Sequence, residues 1–360
     1  MQNKYKTIGI LTFHRVLNVG ANLQAYALQH FIQNEISSCE IIDFYPNNYL
    51  KKKSWKRRVF SFAKKYFWPA SWKTNARERL FKEFQKQYYV VSHNKYYGDG
   101  DYIDLDKYSV IISGSDQILS TSISGNTITY YLPFDGIKKI SYASSFGKSE
   151  LLDLEKWAIM SFLPSFRSIS FRETSGYELV SELIALKERN IVVDPVFLLK
   201  KSDWVSLTKP IKRRYILVYA VEKTEWLLKA IEETKKEFKL PVLILSACKM
   251  INKRYGKTIT AFDPKIFLSH IKNADVVITN SYHGFAFSLI FGKKVVVCAH
   301  QTRNARILSL ISLINEQDKL ITDKSFSYKS IDGQVAYSNL STIIDFSKKY
   351  LKRNIGGDND

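Results

Sequence analysis

Residues 275–298, DVVITNSYHGFAFSLIFGKKVVVC, decide the fold, because they place two apolar strands on either side of an apolar helix. The runs DVVIT and KKVVVC are typical of buried parallel strands. The polar cluster NSYHG follows the first strand at its carboxyl end, where α/β sheets bind their ligands. This position makes His283 a candidate catalytic residue, although it is also compatible with a histidine that caps a turn against solvent.

Strands and helices alternate on both sides of this segment. Towards the amino terminus, TIGILTF predicts a strand, and ANLQAYALQHFIQNEI predicts a helix because its apolar residues recur every three to four positions. Further strands are predicted for CEIIDFY, YSVIISGS, KISYASSF, SISFRE, NIVVDPVFLL, RYILVYAV and PVLILSA. This order predicts an α/β protein with doubly wound parallel sheets.

The pattern pauses near residues 200–214, which contain KKSDW, a proline and the triplet KRR. At 360 residues the chain is long enough for two domains. We predict two Rossmann-like domains facing a central cleft, the first with a basic insert and the second followed by a helix and acidic tail that cross back to the first. The predicted bounds are 1–205 with the insert at about 51–90, then 206–335, then 336–360.

Composition indicates a folded protein of a reducing compartment. The hydrophobic share is 45%, with 22 Tyr and 22 Phe to fill the cores. The three cysteines have no CxxC spacing, so neither a disulfide framework nor a zinc site is predicted, and no metal is expected. The start MQNKYKTIGILTF lacks the pattern of a signal peptide, and no apolar run is long enough to span a bilayer. These features predict a cytoplasmic protein.

The net charge of +20 is concentrated in residues 51–73, KKKSWKRRVFSFAKKYFWPASWK, which contain no acid. On a helical wheel, Arg57, Arg58, Lys64 and Lys65 lie opposite a side rich in aromatic residues. This pattern predicts peripheral contact with an anionic membrane; the alternative is a helix whose aromatic residues pack on the protein itself. Zinc-finger, RNP and basic-zipper spacings are absent, so no nucleic-acid partner is expected.

Polar residues follow the predicted strands at the ends where parallel sheets bind ligands. They are His14, Asn18, Gly20, Ser113, Gly114, Ser115, Gln117, Ser144, Arg172 and Asp194 in the first domain, and Asn280, Ser281, His283, Arg303 and Arg306 in the second. Walker A, GxGxxG, HExxH and GxSxG patterns are absent. The sequence therefore gives no support for P-loop phosphoryl transfer, classical dinucleotide binding, zincin hydrolysis or α/β-hydrolase chemistry. The remaining residue types predict an anion-binding site of Ser/Gly turns and arginine side chains.

Six segments, in this order and spacing, resemble the polysaccharide pyruvyl transferase family. They are TFHRVLNVGANLQAYALQ, IISGSDQI, SYASSFG, SFRETSG, VVDPVFLL and ITNSYHGFAFSLIFGKKVVV. The resemblance implies a GT-B-like fold and the transfer of pyruvate from phosphoenolpyruvate onto sugar hydroxyls of a bacterial surface or capsular glycan precursor, often as a ketal. It implies no cofactor besides this donor substrate. One departure is Leu119 after GSDQI, where members commonly have Trp.

The resemblance also implies residue roles. Arg172 resembles the donor-binding arginine of the family, His283 resembles its catalytic histidine, and Arg306 matches a basic position after the final strand. The residues alone leave other roles open. Arg172 could form an ion pair with Glu173 or Asp194. Asp194 precedes a proline and could cap a turn or a strand end. His14 is either a donor ligand or a loop contact.

The implied chemistry explains these residue types. Phosphoenolpyruvate carries a carboxylate and a phosphate, so its binder needs guanidinium groups and N–H donors. Ketal formation requires one proton to be given to the enol methylene and others to be taken from sugar hydroxyls, which a histidine can do near neutral pH. The acceptor is a sugar or a lipid-linked oligosaccharide. Two alternatives stay open: a metal-independent GT-B nucleotide-sugar glycosyltransferase, and a non-catalytic protein that binds a glycan or a membrane.

Overall fold

The computed structural model describes residues 6–48, 69–246, 251–301, 304–323 and 328–356, with side chains from residue 76 onward in the helix that begins at Pro69. The side chains of the basic insert at 51–73 and of Arg303 lie outside the described residues. The membrane contact predicted for the insert and the anion contact predicted for Arg303 therefore stay predictions.

The strands are β1 (Thr7–Leu11), β2 (Cys39–Tyr45), β3 (Val91–Tyr97), β4 (Tyr108–Ser113), β5 (Lys138–Ser141), β6 (Ile216–Tyr219), β7 (Val242–Leu245), β8 (Lys257–Ile259), β9 (Val276–Thr279), β10 (Lys294–Cys298), β11 (Leu320–Ile321) and β12 (Ile331–Asp332). The α-helices are α1 (Val19–Glu35), α2 (Pro69–Tyr88), α3 (Thr121–Ser124), α4 (Asp153–Phe162), α5 (Thr174–Ser181), α6 (Lys201–Ser206), α7 (Glu225–Phe238), α8 (Pro264–Asn273), α9 (Tyr282–Ile290), α10 (Ala305–Leu313), α11 (Gly333–Ser338) and α12 (Ser341–Ile355). Short 3₁₀ helices span Thr129–Tyr131, Leu163–Ser165, Pro195–Phe197 and Gln317–Lys319.

The chain divides into two compact units. Unit 1 comprises Met1–Trp72, Gln85–Leu198 and Ile343–Asp360, and unit 2 comprises Lys73–Phe84 and Leu199–Thr342. Two bounds differ from the predicted ones. The division falls at Leu198 and Leu199 rather than after residue 205, and the segment Lys73–Phe84 belongs to unit 2 although we predicted it in the first domain.

Aromatic contacts explain both differences. The ring of Trp204 in α6 meets the ring of Phe287 in α9 edge-on, with centroids 4.9 Å apart, which joins α6 to unit 2. The guanidinium of Arg77 in α2 lies 5.2 Å from the ring centroid of Phe262, which ties this part of α2 to the same unit. Neither contact is visible as periodicity in the sequence.

The sheet of unit 1 has five parallel strands in the order β3-β2-β1-β4-β5. This is the order of a doubly wound fold, and its strand order reverses between β1 and β4. Side chains such as Leu11, Ile42 and Ile111 are fully buried in its core.

Two predicted strands of unit 1 are shorter than expected. The segments SISF and NIVV form only isolated parallel bridges, Ile140 with Ser168 and Phe171 with Ile191, rather than regular strands. They still continue the sheet beyond β5, so the residues that follow them reach the same carboxyl edge. Helix α5, Thr174–Ser181, lies between these two segments.

Helix α12 completes unit 1 from the far end of the sequence. The Val193 N–H donates to Ser347 Oγ at 3.0 Å, and the Tyr350 hydroxyl donates to the Ser141 carbonyl at 3.0 Å. Lys138 Nζ, at the start of β5, donates to the Ile355 carbonyl at 3.2 Å. The helix therefore covers β5 and the bridge segments beyond it.

The sheet of unit 2 has seven strands in the order β11-β10-β9-β6-β7-β8, with β12 paired antiparallel to β10 and the other pairs parallel. Its strand order reverses between β9 and β6. Two parallel sheets covered by helices confirm the predicted α/β class with Rossmann-like units. In the part of the chain that the structure describes, no helix is long and apolar enough to cross a membrane.

Candidate functional site

His283 is the second residue of α9, directly after β9 at the strand-order reversal of unit 2. Ser281 is the N-cap of the helix, and the Gly284 N–H donates to its hydroxyl at 3.5 Å. Gly284 permits a close approach, because a Cβ there would lie 2.3 Å from Thr279 Oγ1. The sequence NSYHG therefore forms a tight strand-to-helix turn whose geometry excludes a larger residue at position 284.

The imidazole of His283 is held at the start of the helix. The residue is 6% exposed, and its ring meets the Tyr282 ring edge-on with centroids 5.2 Å apart. The helix macrodipole places partial positive charge at this end, which favours anions. A titratable group, low exposure and an anion-attracting helix end thus coincide at the edge where such sheets bind ligands.

Asn280 fixes the turn across the strand-order reversal. Its Oδ1 accepts from the Val221 N–H at 2.9 Å, and its Nδ2 donates to the Glu222 carbonyl at 2.8 Å. Ser281 contributes its N–H to Thr279 Oγ1 at 3.0 Å. These three hydrogen bonds join Asn280 and Ser281 to neighbouring segments of the chain, so both residues shape the turn that carries His283.

Arg172 lies at the carboxyl edge of unit 1, surrounded by carboxylates. Its Nη1 donates to Asp194 Oδ2, its Nη2 lies 3.6 Å from Asp116 Oδ1, and its Nε lies 3.8 Å from Glu173 Oε2. The arginine side chain is 1% exposed. When all three carboxylates are ionised, these four groups carry a formal charge of −2.

The carboxylates of this cluster are themselves held by the backbone turns. Glu173 Oε1 accepts from the Ser145 hydroxyl and from the Gly147 N–H at 3.4 Å. Asp194 is the N-cap of the 3₁₀ helix Pro195–Phe197, and its Oδ1 accepts from the Val196 N–H at 3.1 Å. Asp116 has a backbone φ of 76°, a left-handed conformation that is uncommon for a residue with a side chain and is enriched at functional sites.

The predicted serine ligands of unit 1 are buried and bonded to backbone carbonyls. Ser113 Oγ donates to the Tyr130 carbonyl at 2.7 Å, Ser115 Oγ to the Ala143 carbonyl at 3.0 Å, and Ser144 Oγ to the Gly114 carbonyl at 3.1 Å. A Cβ at Gly114 would lie 2.9 Å from Thr12 Cβ, so this glycine lets β1 and β4 approach each other. The three serine hydroxyls thus join neighbouring segments at the carboxyl edge of the unit 1 sheet.

Asn18, after β1, and the residues that follow Ser115, after β4, have structural contacts as well. Asn18 is the N-cap of α1, and its Oδ1 accepts from the N–H groups of Gly20 and Ala21 at 2.8 and 3.2 Å. Gln117 Nε2 lies 3.5 Å from the Gly147 carbonyl. Leu119, which replaces the common Trp, is buried in the core of unit 1, where its carbonyl accepts from the Tyr131 hydroxyl at 2.5 Å.

His14 belongs to a buried polar cluster that sequence reasoning did not identify. Its Nε2 lies 3.2 Å from Asp43 Oδ1, and its Nδ1 lies 3.1 Å from the Thr12 carbonyl oxygen. Arg15 donates to both oxygens of Asp43, at 2.9 and 2.7 Å. The Gln85 amide donates to the His14 carbonyl at 2.8 Å. An acid inside the apolar strand CEIIDFY was the available sequence signal for this cluster.

Asp43 makes the stability of unit 1 depend on pH. Burial alone would raise the pKa of Asp43, but the hydrogen bonds from His14 and Arg15 outweigh burial and lower it from 3.8 to about 2. The stabilisation is therefore present above pH 4 and is lost as the pH falls towards 2. We expect Asp43→Asn to lower the free energy of unfolding at pH 7 by about 2 kcal/mol, a difference that shrinks as the pH falls from about 4 and disappears only below about pH 2.

Denaturant unfolding of the parent and the variant at a series of pH values measures this difference. Asp106→Asn, which changes an exposed carboxylate of the same unit, is the control and should leave the pH dependence unchanged. A constant gap between Asp43→Asn and the parent from pH 7 to pH 2 would contradict the assignment.

Arg306 lies in the first turn of α10 and is half-buried. Its predicted role in anion binding, like the roles of Arg172 and His283 in catalysis, stays a prediction. Among the residues that the structure describes, no group of three or more His, Cys, Asp or Glu side chains is placed to hold a metal ion.

Comparison with known proteins decides the family. A family model described as polysaccharide pyruvyl transferase matches residues 18–302, which is most of the chain. The chain belongs to the polysaccharide pyruvyl transferase family. The matched range includes Arg172 and His283, begins after His14 and ends before Arg303 and Arg306. Membership makes this protein a polysaccharide-modifying transferase.

The transferase also resembles solved structures at low sequence identity. UDP-GlcNAc 2-epimerase from Methanocaldococcus jannaschii has a TM-score of 0.48 and 11% identity, with 94% of this chain and 91% of that chain covered. UDP-GlcNAc 2-epimerase from Neisseria meningitidis bound to UDP-GlcNAc has a TM-score of 0.46 and 11% identity, covering 98% and 95%. E. coli heptosyltransferase WaaC with ADP has a TM-score of 0.42 and 9% identity, covering 97% and 99%. A search of curated proteins found no match.

Proposed function

We propose that this family member transfers pyruvate from phosphoenolpyruvate onto sugar hydroxyls of a bacterial surface or capsular polysaccharide precursor, as a ketal. The observation that supports the proposal most directly is the position of His283, at 6% exposure in the first turn of α9 and at the carboxyl end of β9. The donor is an anion, and a helix amino terminus favours anions. The donor is a substrate, and the proposal requires no cofactor.

The proposed reaction moves protons at each step, which a histidine can supply and accept. Protonation of the enol methylene carbon of the donor makes its central carbon electrophilic, and a sugar hydroxyl adds there as it loses its proton. Phosphate then leaves as a second hydroxyl adds and loses its proton, so one donor and one diol give one ketal and inorganic phosphate. We assign to His283 the donation of the first proton and the removal of a hydroxyl proton.

Arg172 enters the proposal as a positioning residue. Its guanidinium contacts Asp194, Asp116 and Glu173, so it fixes the orientation of these carboxylates at the edge of the unit 1 sheet. The positive charge for the donor is assigned to Arg306 and Arg303 together with the α9 terminus. Arginine suits this task because its planar fork matches carboxylate and phosphate groups.

The acceptor is proposed to be a sugar of a growing or lipid-linked oligosaccharide, reached from the cytoplasmic side of the membrane. The basic residues at 51–73 would hold the protein peripherally at an anionic surface, since each cation near such a surface contributes about 1 kcal/mol. Their attraction should weaken with salt as the Debye length falls.

Incubation of the purified protein with phosphoenolpyruvate and a panel of synthetic and lipid-linked oligosaccharides tests the function. We expect mass spectrometry to find products that have gained one pyruvate less one water, with one inorganic phosphate released for each. UDP- and GDP-sugars are the comparison donors. Products that have gained a hexose from a nucleotide sugar would show a glycosyltransferase instead, and glycan binding without turnover of any donor would show a non-catalytic protein.

A further inference from the structure

Helix α4 of unit 1 exposes two large apolar residues on one side. Trp157 and Met160 are 48% and 51% exposed, although the opposite side of the helix, with Ala158 and Ile159, is buried. Trp157 and Met160 are three residues apart, so their side chains lie on the same side of the helix. Large apolar residues that are exposed together mark a contact surface more often than isolated ones do.

A basic groove lies at the carboxyl end of α4. The 3₁₀ helix that follows α4 contributes Leu163 and Pro164 to a cavity of about 1110 Å³, whose wall also includes Phe166 and Ile169. Two of its lining residues mark the amino edge of the sheet: Ser168 forms the first bridge of its segment, with Ile140, and Asn190 comes directly before the bridge at Ile191. Arg172 and Asp194, which follow the same bridges, lie at the opposite edge.

The groove carries an excess of positive charge. Its lining includes Arg167, Lys187, Lys349, Lys352 and Arg353 but one carboxylate, Glu188. Arg353 Nη2 pairs with Glu188 at 2.8 Å, and Lys352 Nζ pairs with Glu35 at 2.8 Å. Because Lys187 and Lys349 are exposed on the rim, their ammonium groups can contact an anionic surface laid against it.

We propose that the exposed side of α4 and the adjoining groove, together called the α4 surface, bind the headgroup layer of an anionic lipid bilayer. A half-exposed tryptophan beside methionine suits the boundary between headgroups and acyl chains. Lysine and arginine beside that apolar surface suit lipid phosphates. A soluble polyanion would contact only the cations. Trp157 and Met160 would then contact nothing in the complex.

The α4 surface is separate in sequence from the basic insert at 51–73, and the proposal does not depend on the donor or on catalysis. A membrane contact here would therefore remain when the insert is neutralised. It would also remain in a protein with no pyruvyl transferase activity.

Binding of the full chain to vesicles tests the α4 surface. The parent and a form with Gln at Lys51–Lys53, Arg57, Arg58, Lys64 and Lys65 are titrated with phosphatidylglycerol/phosphatidylcholine vesicles and with pure phosphatidylcholine. In both forms Lys187→Gln with Lys349→Gln should weaken binding to the anionic vesicles by about 25-fold, roughly fivefold per cation. Trp157→Ser with Met160→Ser should weaken it at least about tenfold. The control is Lys212→Gln with Lys223→Gln, which removes the same number of exposed charges from unit 2. It should change binding to the anionic vesicles by less than about threefold.

A fluorophore at Met160→Cys, with Cys248 replaced by Ser, reports the contact directly, because Cys39 and Cys298 are buried. We expect its emission to shift to shorter wavelength with anionic vesicles and to stay unchanged with phosphatidylcholine or with inorganic phosphate. The proposal is overturned if the probe does not respond to anionic vesicles, or if the α4-surface substitutions weaken binding no more than the control pair.

Discussion

Turnover with phosphoenolpyruvate is expected to fall by about 100-fold or more in His283→Ala, with donor affinity and folding nearly intact. The expected loss is the lower end of what a general acid and base contributes. Folding should survive because the imidazole lies at the helix start, whereas the turn is fixed by contacts of Asn280 and Ser281. Steady-state kinetics and donor binding by calorimetry, measured on the same preparation, separate the two effects.

The control for this variant is His93→Ala, which removes an exposed histidine from β3 and should leave turnover unchanged. A second variant, His283→Gln, keeps a polar side chain of similar size but cannot exchange a proton, so it should be as slow as the alanine form. Near-normal turnover in a folded His283→Ala protein would remove this histidine from the mechanism.

The second large effect is expected at Arg172, as a loss of stability. Arg172→Met leaves Asp194, Asp116 and Glu173 together without the guanidinium between them. Removing one partner of a buried ion pair typically costs about 3–5 kcal/mol. Denaturant unfolding at pH 7 should therefore show a loss of this size in the free energy of unfolding.

Two further variants show whether charge is the cause. Adding Asp194→Asn to Arg172→Met removes one uncompensated charge and keeps an acceptor for the Val196 N–H, so part of the loss should be recovered. Arg214→Met, which breaks an exposed arginine–carboxylate pair with Asp275, should change stability little. Equal losses in Arg172→Met and Arg214→Met would contradict the assigned role.

The Arg172→Lys form distinguishes positioning from direct donor contact. An ammonium keeps the charge but cannot reproduce the geometry of the fork. If Arg172 acts by positioning the carboxylates, the loss in binding free energy for phosphoenolpyruvate should be smaller than the loss in the free energy of unfolding. A large loss of phosphoenolpyruvate affinity in a variant of near-normal stability would show that the guanidinium contacts the donor.

Apolar patterning identified most of the regular elements but not the polar edge strands. The strand β9 and the helix α9 are predicted because DVVIT and FAFSLIF are apolar and a glycine separates them. The strand β3, VSHNKYY, was missed because His93, Asn94 and Lys95 are exposed at the edge of the sheet. SISF and NIVV were predicted as strands because most of their apolar residues are buried, but their backbones pair only through isolated bridges.

The site was harder to predict than the fold, because hydrogen-bond partners come from distant parts of the chain. Sequence position placed Ser113, Ser115 and Ser144 at the correct edge, but their hydroxyls are bonded to carbonyls of neighbouring segments. Asp43 could not be assigned a role until β2 was placed beside β1, where His14 and Arg15 reach it. Spacing along the chain gives no information on either pairing.

The return of α12 to unit 1 has a consequence for synthesis. The segments that it covers, around Ser141 and Val193, leave the ribosome long before Ser347 and Tyr350, which bond to them. Domains generally fold in the order in which they emerge. Here the nascent chain has to hold an incomplete unit 1 while all of unit 2 is being made, so the amino-terminal unit is the last to be finished.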